Sequence, residues 1–449
     1  MLTAMLNRRE LLATLAAGAL TGAETKPNIV MIYADDLGYG DLGCYGNPTI
    51  RTPHLDKMAA EGMRWTQFYS TSPLCSPSRA ALMTGRYPVR CGISKVLFPY
   101  STGGLKAGET TVADVLKSAG YATAIVGKWH LGHKGEHLPT KHGFDSYFGI
   151  PYSNDMSPAT SRSPRKSEYP PTPLMRNETV AEQEPDQSTL TGRYTEEATG
   201  FIRASARAKK PFFLYFAHTF PHWPLAASAK FKGKSKRGLF GDVVEELDWS
   251  VGEVLRAVKE AGVEGNTLVM FSSDNGPAMP LREEGGTAGQ LSGWKSQNWE
   301  GGQREPFIAR WPGRIKAGQV SHAFGCTMDI LPTCAMLAGA SVPAGRELDG
   351  ADLGPALFQG DESREALFFY YGDVTVRAVR KGPWKLWVTD PKAGFAQKPA
   401  RTATPLLFHL EHDPSERFNM AEKQPEVVRE LTALVDRHVA QVKIGELQE

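Results

Sequence analysis

The chain has 449 residues, of which 41% are hydrophobic and 22% are charged. This length allows one large hydrophobic core plus a smaller domain, and the average composition excludes a fibrous or disordered chain. The 51 basic and 49 acidic residues are interspersed and give a formal charge of +2, which gives no indication of a nucleic-acid partner. Any anion-binding site must therefore be local.

The first residues are typical of an export signal. Arg8 and Arg9 precede an apolar run that continues to Leu20, and small residues end the run near Ala23. Paired arginines before a modest apolar run resemble a twin-arginine signal, which exports an already folded protein. We therefore predict a signal at residues 1–23 and an exported chain, periplasmic or extracellular. No segment reaches the roughly 20 apolar residues of a membrane helix, so we predict no stable membrane span.

The first predicted strand covers residues 29–33, a short apolar and β-branched run. Asp35 and Asp36 follow it directly, ahead of a glycine-rich turn. Two adjacent carboxylates cannot both be buried without a partner, and a bound cation would remove that cost. A solvated turn explains the two residues equally well when they are considered alone.

After a short predicted helix at residues 54–63, the chain reaches a distinctive motif. It reads Cys75-Ser76-Pro77-Ser78-Arg79-Ala80-Ala81-Leu82-Met83-Thr84-Gly85-Arg86. Ser76 and Pro77 indicate a helix start, which would place Cys75 at a helix N-terminus. There the dipole, the free N–H groups and Arg79 would hold sulfate or phosphate beside a nucleophile. The alternative is a buried cysteine under an ordinary helix cap.

Polar side chains also follow the next three predicted strands. They are Lys128 and His130 after residues 122–126, His218 and His222 after residues 211–217, and Asp274 and Asn275 after residues 267–272. Predicted helices at residues 110–119, 194–209, 242–261 and 329–338 alternate with these strands. This order predicts a doubly wound α/β sheet, in which ligands bind beyond the carboxyl ends of the strands. We therefore expect these side chains to share one crevice with Asp35, Asp36 and Cys75.

The remaining segments predict loops and a second domain. Residues 157–188 are rich in proline, serine and charge without a clear period, which predicts a long surface loop. Short strands at residues 366–371, 374–379, 384–388 and 406–410, with a closing helix at 425–442, predict a small antiparallel sheet. We therefore divide the chain into a catalytic domain at residues 24–340 and a smaller domain at residues 341–449.

The side chains at the strand ends favour a particular kind of metal site. Asp35, Asp36, Asp274 and Asn275 offer only hard oxygen ligands, which select calcium or magnesium over zinc or copper. The cysteines do not form a metal site or a disulfide framework, since they are too few and too scattered. Besides Cys75 they are Cys44, Cys91, Cys326 and Cys334, which would be free to pair in an oxidising compartment.

The motifs together resemble those of the formylglycine-dependent sulfatases, the arylsulfatase-like family within the alkaline phosphatase superfamily. The resemblance runs from about residue 28 to residue 338. Its motifs occur in family order: Asp35-Asp36, the Cys75 motif, Gly127-Lys128-Trp129-His130-Leu131-Gly132, Ile150-Pro151-Tyr152-Ser153, Pro221-His222, Asp274-Asn275-Gly276, and Lys295 with Glu300-Gly301-Gly302. The C-terminal part matches mainly through Asp413-Pro414-Ser415-Glu416. The family fold is a large mixed sheet flanked by helices, with a small C-terminal antiparallel sheet and helix.

The resemblance implies that Cys75 is a precursor and not a thiol catalyst. A formylglycine-generating enzyme would oxidise it to formylglycine, whose hydrated aldehyde is the nucleophile in this family. Asp35, Asp36, Asp274, Asn275 and the formylglycine oxygen at position 75 would bind one calcium ion, with magnesium as the alternative.

The family also implies roles for the other strand-end residues. The metal and Arg79 would polarise the nucleophile, so that a sulfate ester forms on residue 75. Lys128, Lys295 and Ser153 would bind the sulfate oxygens and stabilise the developing charge. His222 would donate a proton to the leaving oxygen, and His130 would take one from the second hydroxyl to expel sulfate.

The predicted substrate is a sulfated carbohydrate or an aryl sulfate. We expect residues 157–188 and 280–294 to line the substrate entrance. Asn154 stands where arylsulfatases of this group have a histidine, which leaves the leaving-group preference open. Two alternatives remain at this point. One is a phosphate or phosphonate ester hydrolase of the same superfamily, and the other is a sulfated-glycan-binding protein in which Cys75 stays unmodified.

Overall fold

The computed structural model describes residues 26–361, 364–393 and 399–448. The proposed export signal at residues 1–23 lies outside the described residues. The described strands are β1 (Asn28–Ala34), β2 (Met63–Tyr69), β3 (Ala122–Gly127), β4 (Ser146–Gly149), β5 (Pro173–Arg176), β6 (Thr179–Gln183), β7 (Phe212–Ala217), β8 (Thr267–Ser273), β9 (Arg304–Arg310), β10 (Gln319–Ser321), β11 (Gly325–Cys326), β12 (Ala366–Tyr370), β13 (Val376–Lys381), β14 (Trp384–Thr389) and β15 (Arg401–His409). The described α-helices are α1 (Pro53–Ala60), α2 (Cys75–Thr84), α3 (Val112–Ser118), α4 (Leu190–Arg207), α5 (Gly238–Glu260), α6 (Glu300–Gln303), α7 (Ile330–Ala338), α8 (Gly354–Phe358) and α9 (Pro425–Gln441).

The large sheet is mixed, and β1 lies near its centre. Among the described residues it has 11 strands in the order β10-β2-β9-β8-β1-β7-β3-β4-β5-β6, with β11 also paired to β2. β1 pairs in parallel with β7 and β8, and β3 pairs in parallel with β7. These are the four strands that the sequence predicts. Because they are parallel neighbours, their carboxyl ends form one edge, where the predicted polar pairs begin.

Helices cover both faces of this sheet, as a doubly wound fold requires. Successive side chains of β1 alternate between two hydrophobic cores, with Met31 in one and Ile32 in the other. The first core contains residues of α2, α3 and α7, and the second contains residues of α1, α4 and α5. β1 is therefore buried on both faces, which explains its uninterrupted apolar sequence.

The sequence pattern misses the strands outside this parallel centre. The predicted loop at residues 157–188 contains the antiparallel pair β5 and β6, so the prediction of a loop without regular structure is wrong there. β6 lies at the sheet edge and its side chains are mostly exposed, so it has no apolar run. β9 begins with Arg304-Glu305-Pro306, a charged sequence that does not read as a buried strand although all of it is buried.

The second sheet is antiparallel and small, as predicted. Its strands follow the order β12-β13-β14-β15, and α9 packs against β13 and β14. Its core extends into the first part of the chain through Tyr69, Ala81 and Tyr87. Across the described residues, every helix is too short or too polar to cross a membrane.

Candidate active site

Cys75 is the first residue of α2, as the sequence predicts, but the cap differs. The preceding residue, Leu74, is extended, and no side chain caps the helix. The Ser76 hydroxyl instead accepts a hydrogen bond from the Leu97 N–H at 3.1 Å, so the predicted capping by Ser76 is wrong. Cys75 is only 2% exposed, and burial raises the pKa of its thiol to about 12. The unmodified side chain is therefore a protonated thiol near neutral pH and a poor nucleophile.

The strand ends bring four oxygen-bearing side chains together beside Cys75. The Asp36 N–H donates to Asp274 Oδ1 at 3.1 Å, and the Asn275 amide donates to Asp36 Oδ1 at 2.8 Å. These contacts join the end of β1 to the end of β8. Asp36 adopts a left-handed backbone conformation with φ of 65°, which a non-glycine residue rarely does. Such strain is typical of positions that the surrounding structure holds for a function.

Two oxygens of this group are available to bind a cation. Asp35 Oδ1 and Asn275 Oδ1 are buried and have no hydrogen-bond partner among the described residues. One ligand atom from each of Asp35, Asp36, Cys75 and His222 lies within 4.8 Å of the others. Burial and the neighbouring Asp35 raise the pKa of Asp274 to about 7, because the buried carboxylates repel one another. The donor set is thus suited to a hard divalent cation.

Arg79 contacts a carboxylate of this group and does not line an open anion-binding site. Its Nε and one terminal nitrogen donate to Asp274 Oδ2 at 3.1 and 2.8 Å, and its other terminal nitrogen donates to the Lys128 carbonyl at 3.0 Å. The side chain is fully buried. The sequence places Arg79 on the bound anion, whereas in the structure its long side chain reaches past Cys75 to the end of β8.

Two lysines pair with the adjacent carboxylates Asp35 and Asp36. Lys128 Nζ lies 2.5 Å from Asp35 Oδ2 and donates to Ser153 Oγ at 3.1 Å. Lys295 Nζ donates to Asp36 at 2.7 Å. Burial opposes the charge of Lys295, but the pull of Asp36 outweighs it and raises the lysine pKa well above its ordinary value. The ammonium group of Lys295 is thus charged.

The chain can bring Lys128 to this position because Gly127 precedes it. Gly127 has φ of 110°, and a Cβ there would lie 1.8 Å from the Ala217 carbonyl oxygen. Only glycine allows β3 to end this close to β7. The turn then directs the Lys128 N–H to the Ala217 carbonyl at 2.7 Å and its side chain to Asp35.

His222 is oriented by Asn154, a contact that the sequence does not reveal. Its Nδ1 lies 3.1 Å from Asn154 Oδ1 and 2.5 Å from the Trp223 carbonyl oxygen. Since both partners are acceptors, Nδ1 carries the proton, and Nε2 faces Asp36 Oδ2 at 3.7 Å. Burial and Lys295 lower the pKa of His222, although Asp36 and Asp35 oppose that effect.

His130 is held with one ring nitrogen free. Its Nε2 donates to the Leu97 carbonyl at 2.9 Å, and its buried Nδ1 has no partner among the described residues. Burial, Lys128 and Arg79 lower its pKa well below the ordinary value, so the imidazole is neutral. A neutral ring with a free lone pair is the form that accepts a proton. His130 also has a positive φ, 61°.

His218 lies away from this group. It is fully buried against Phe216 and 3.5 Å from the Ser250 hydroxyl of α5, and burial lowers its pKa to about 3. The structure therefore brings together Asp35, Asp36, Cys75, Arg79, Lys128, His130, Ser153, His222, Asp274, Asn275 and Lys295, and it leaves out His218.

Comparison with known proteins identifies this arrangement. The sequence profile of the Sulfatase family matches residues 27–340, and the profile for the C-terminal region of aryl-sulfatase matches residues 362–448. The chain belongs to the sulfatase family. Arylsulfatase A of Bos taurus is 43% identical over 446 residues, covering 93% of this chain and 88% of its own. N-acetylgalactosamine-6-sulfatase of Sus scrofa is 40% identical over 481 residues, covering 98% of this chain and 91% of its own.

A solved structure confirms the fold of this sulfatase. The crystal structure of PsFucS1 sulfatase from Pseudoalteromonas sp. matches with a TM-score of 0.86 at 29% identity, covering 97% of this chain and 95% of that chain. The family resemblance and the fold class that the sequence predicts, an alkaline phosphatase-like α/β fold with a small C-terminal sheet, are both confirmed.

The entrance to the sulfatase site is a cavity of about 360 Å³. Asp36, His222 and Lys295 form its floor. Its walls include Ser161, Arg162, Ser163 and Tyr169 from one segment and Pro280, Leu281 and Trp294 from another. Both segments that the sequence predicts at the substrate entrance, residues 157–188 and 280–294, therefore contribute to it.

The C-terminal sheet of the sulfatase supports the loop that carries Lys295. Lys385 of β14 is fully buried between Glu300 and Glu416, with its Nζ 3.0 Å from a carboxylate oxygen of each. Glu416 Oε2 also accepts a hydrogen bond from the Glu300 N–H at 2.6 Å. The two segments that resemble the family, Glu300-Gly301-Gly302 and Asp413-Pro414-Ser415-Glu416, are thus two sides of one buried ionic contact.

Glu305 is a further buried acid near the sulfatase centre. Neither of its carboxylate oxygens has a partner among the described residues. Burial, with Asp274 and Asp36 nearby, raises its pKa well above the ordinary value, so it carries a proton and adds no charge. The sequence shows it only as part of the run Arg304-Glu305-Pro306, and its burial becomes visible only when β9 is placed in the sheet.

Proposed function

We propose that this sulfatase hydrolyses the sulfate ester of a carbohydrate with a nucleophile made from Cys75. The observation that carries the proposal is the position of Cys75 at the start of α2, beside Asp35, Asp36 and His222. Because burial raises the thiol pKa to about 12, the unmodified side chain does not supply the attacking group. A formylglycine-generating enzyme is the partner that this maturation needs.

A divalent cation fits the oxygen cluster. Asp35, Asp36, Asp274 and Asn275 would hold calcium, with magnesium as the weaker candidate, since the ligands are all hard oxygens. The unpartnered oxygens of Asp35 and Asn275 support this assignment. When bound, the cation would supply positive charge that lowers the pKa of the nucleophile's hydroxyl and stabilises charge on a sulfate oxygen.

Two of the cationic side chains bind the sulfate ester, and the third holds a carboxylate in place. Lys128 and Lys295 bind the sulfate oxygens, and Ser153, which hydrogen-bonds Lys128, donates to one of them. Arg79 acts through its neighbours, because its donors hold the Asp274 carboxylate and the Lys128 carbonyl. Preorganised donors around the developing charge are the main source of rate enhancement in such sites.

Two histidines move the protons. His222 donates from Nε2 to the leaving oxygen when its ring carries a second proton, since its Nδ1 proton is held by Asn154 and the Trp223 carbonyl. The carboxylates of Asp36 and Asp35 favour this charged form of the ring. His130 accepts a proton from residue 75 at Nδ1, its free nitrogen. The two rings thus have opposite roles, because the charged ring of His222 presents a proton at Nε2 whereas the neutral ring of His130 presents a lone pair at Nδ1.

The carbohydrate substrate is supported by the relatives, which include an N-acetylgalactosamine-6-sulfatase at 40% identity.

We place the catalytic domain at residues 24–340 and assign residues 341–449 a supporting role. Lys385 and Glu416 contact Glu300, which follows Lys295 in the active-site loop. We also propose that the protein is exported by a twin-arginine signal at residues 1–23.

Turnover of model esters tests the proposed activity. Protein co-expressed with a formylglycine-generating enzyme is assayed on an aryl sulfate, an aryl phosphate and an aryl phosphonate, beside Cys75→Ala and a Cys44→Ala control. We expect preferential sulfate release that disappears in Cys75→Ala and persists in Cys44→Ala. Preference for phosphate or phosphonate would favour the other hydrolases of the superfamily. Full activity of Cys75→Ala would refute the nucleophile.

Export is tested with a reporter. Residues 1–23 fused to a reporter protein should carry it out of the cytoplasm, and replacing Arg8 and Arg9 with lysine should stop this. A reporter that stays in the cytoplasm in both forms would refute the signal.

A further inference from the structure

The cavity above the sulfatase centre holds the group that leaves with the ester oxygen. Its floor is His222, which protonates that oxygen, and Lys295, which binds the sulfate. Its walls are largely apolar and aromatic, formed by Phe98, Met156, Tyr169, Trp223, Leu281 and Trp294. Flat apolar walls accept either an aryl ring or the C–H face of a sugar ring, so they do not decide between these leaving groups.

Asp155 is the polar wall residue that separates the two possibilities. It follows Ser153 and Asn154, which contact Lys128 and His222, so its position is tied to the catalytic group. Its Oδ1 is buried and has no hydrogen-bond partner among the described residues. A buried carboxylate oxygen without a donor costs free energy, and a ligand that supplies a donor recovers it.

The cations of the cavity are engaged with other groups. Arg162 lies over the Trp223 ring at 3.7 Å and 3.5 Å from Glu284, and Lys295 is paired with Asp36. Glu284 also accepts a hydrogen bond from the Trp223 indole at 3.1 Å, which fixes the ring as a wall. In the described part of the chain no ion pair reaches Asp155, so no neighbouring cation offsets its carboxylate, which lines the cavity.

We propose that Asp155 and the Trp223 wall form a subsite for an uncharged pyranose ring, which Asp155 recognises by accepting a hydrogen bond from a ring hydroxyl. This inference rests on the proposed sulfatase activity. An aryl group would cover Asp155 without offering it a donor. A leaving group with a second sulfate or a carboxylate beside Asp155 would be repelled. The preferred substrate is therefore a sugar with one sulfate on the bound ring and a free hydroxyl.

Kinetics of Asp155 variants test the subsite. The formylglycine-containing enzyme is assayed on galactose 6-sulfate, N-acetylgalactosamine 6-sulfate and an aryl sulfate, as wild type, Asp155→Leu and Asp155→Asn. A hydrogen bond to a charged group is worth about 1.5–3 kcal/mol, so kcat/KM of Asp155→Leu should fall about 10- to 150-fold on the best sugar sulfate. We expect a change within about twofold on the aryl sulfate and an intermediate loss for Asp155→Asn.

Matched controls separate recognition from folding. Glu168 lies in the same surface segment, but it pairs with Arg165 and does not line the cavity. Glu168→Gln should therefore leave kcat/KM unchanged on the sugar sulfates and on the aryl sulfate. Because Asp155 Oδ1 has no partner to lose, Asp155→Asn should melt at or above the wild-type temperature. An equal loss of kcat/KM on the sugar sulfates and the aryl sulfate, or wild-type turnover of sugar sulfates by Asp155→Leu, would overturn the subsite.

A binding measurement separates failure of the subsite from failure of the proposed activity. Calorimetry with the non-reacting Cys75→Ala protein measures binding of the same sugar sulfates, and Asp155→Leu in that background should weaken it by at least about tenfold. An enzyme that is inactive on every sulfate, with formylglycine confirmed at position 75, refutes the proposed activity. Binding that is unaffected by Asp155→Leu refutes the subsite, whichever result the activity assay gives.

Discussion

Asn154 decides which nitrogen of His222 faces the ester. Its amide nitrogen donates to Gln187 Oε1 and the Pro224 carbonyl, so its oxygen is the atom left to accept from His222 Nδ1. With that proton held, Nε2 is the only ring atom directed at the reacting group. Asn154 is therefore a positioning residue for the proposed general acid, although it does not touch the reacting atoms.

Asn154→Leu should lower kcat about tenfold, because it removes one hydrogen bond worth roughly 1–1.5 kcal/mol and frees the His222 ring to rotate. KM for an aryl sulfate should change little, and the basic limb of the pH profile of kcat should shift. Steady-state kinetics across pH measure both. Asn154→Asp keeps an acceptor and should retain most of the activity; an equal loss in both variants would contradict a positioning role.

Calcium should stabilise the protein more at pH 8 than at pH 5. In the metal-free protein, burial and Asp35 raise the pKa of Asp274 from 3.8 to about 7. A raised pKa stabilises the fold at low pH, and this contribution is lost as the pH rises through 7. Calcium needs the ionised carboxylates, so its binding reverses that loss only where Asp274 has lost its proton.

Thermal melts of chelator-treated protein with and without calcium check this expectation at both pH values. Magnesium serves as the matched control and should give a smaller shift, because it demands a more regular set of ligands. An identical shift at pH 5 and pH 8, or no shift with either ion, would contradict a metal site at Asp35, Asp36, Asp274 and Asn275.

The sequence identifies candidate residues well but not their partners. Asp35, Lys128, His222 and Asp274 are predictable because each follows an apolar strand, and parallel strands end at one edge. The partner of Arg79 is not predictable, since a long side chain at the first turn of α2 can reach several groups. The contacts of Asn154 and Asp155 depend on how the segment after β4 folds over the cavity, and no local sequence pattern records that.

At the scale of elements, β14 is the strand that joins the C-terminal sheet to the active-site loop. Its Lys385 is buried between Glu300 and Glu416, and Glu300 also pairs with Arg304 and accepts from the Tyr69 hydroxyl. Burial and Glu300 raise the pKa of Glu416 to about 7, even though Lys385 opposes this. The contact is therefore held by one lysine placed between two acids.

Lys385→Met should destabilise the protein by about 3–5 kcal/mol, because it leaves two buried carboxylates without their cation. Lys381→Met on β13 is the control, since Lys381 pairs with Glu365 and Glu430 near the surface and should cost at most about 1 kcal/mol. Denaturant unfolding of the two variants measures the difference. Similar midpoints for both would show that the buried contact does not hold the second sheet in place.

Whether the sequence predicts a strand depends on which of its side chains are buried. The four central strands have continuous apolar runs because helices cover both of their faces. β2 and β9 pair antiparallel beside them, and their charged residues contact partners that are distant in sequence, as Arg304 does when its Nε donates to the Thr66 carbonyl. A strand whose polar residues are buried in this way shows neither an alternating nor an apolar pattern, so its place in the sheet emerges only from the assembled fold.

Across the molecule as a whole, the end of the described chain reaches back to the segment that follows α2. The Gly445 N–H donates to the Val89 carbonyl at 2.9 Å, and the Gln448 N–H donates to the Gly92 carbonyl at 2.8 Å. The segment they brace leads to Leu97, whose backbone contacts both Ser76 and His130. The C-terminal residues thus stabilise the backbone that orients the proposed base.

Truncation after residue 442 should lower kcat about tenfold while changing the melting temperature little, because small displacements of a catalytic group are costly to the rate. Limited proteolysis should cut faster within residues 92–105 in the truncated protein. Gln448→Ala keeps both backbone contacts and is the matched control. Full activity of the truncated protein would contradict this coupling.

The most direct test of a nucleophile made from Cys75 relates activity to the chemical state of that residue. Preparations made with different levels of formylglycine-generating enzyme are analysed by mass spectrometry for the fraction of Cys75 converted, and kcat is measured on an aryl sulfate for each. We expect kcat to rise in proportion to the formylglycine fraction and to extrapolate to zero for the unmodified thiol. Equal turnover by fully unmodified protein would contradict it.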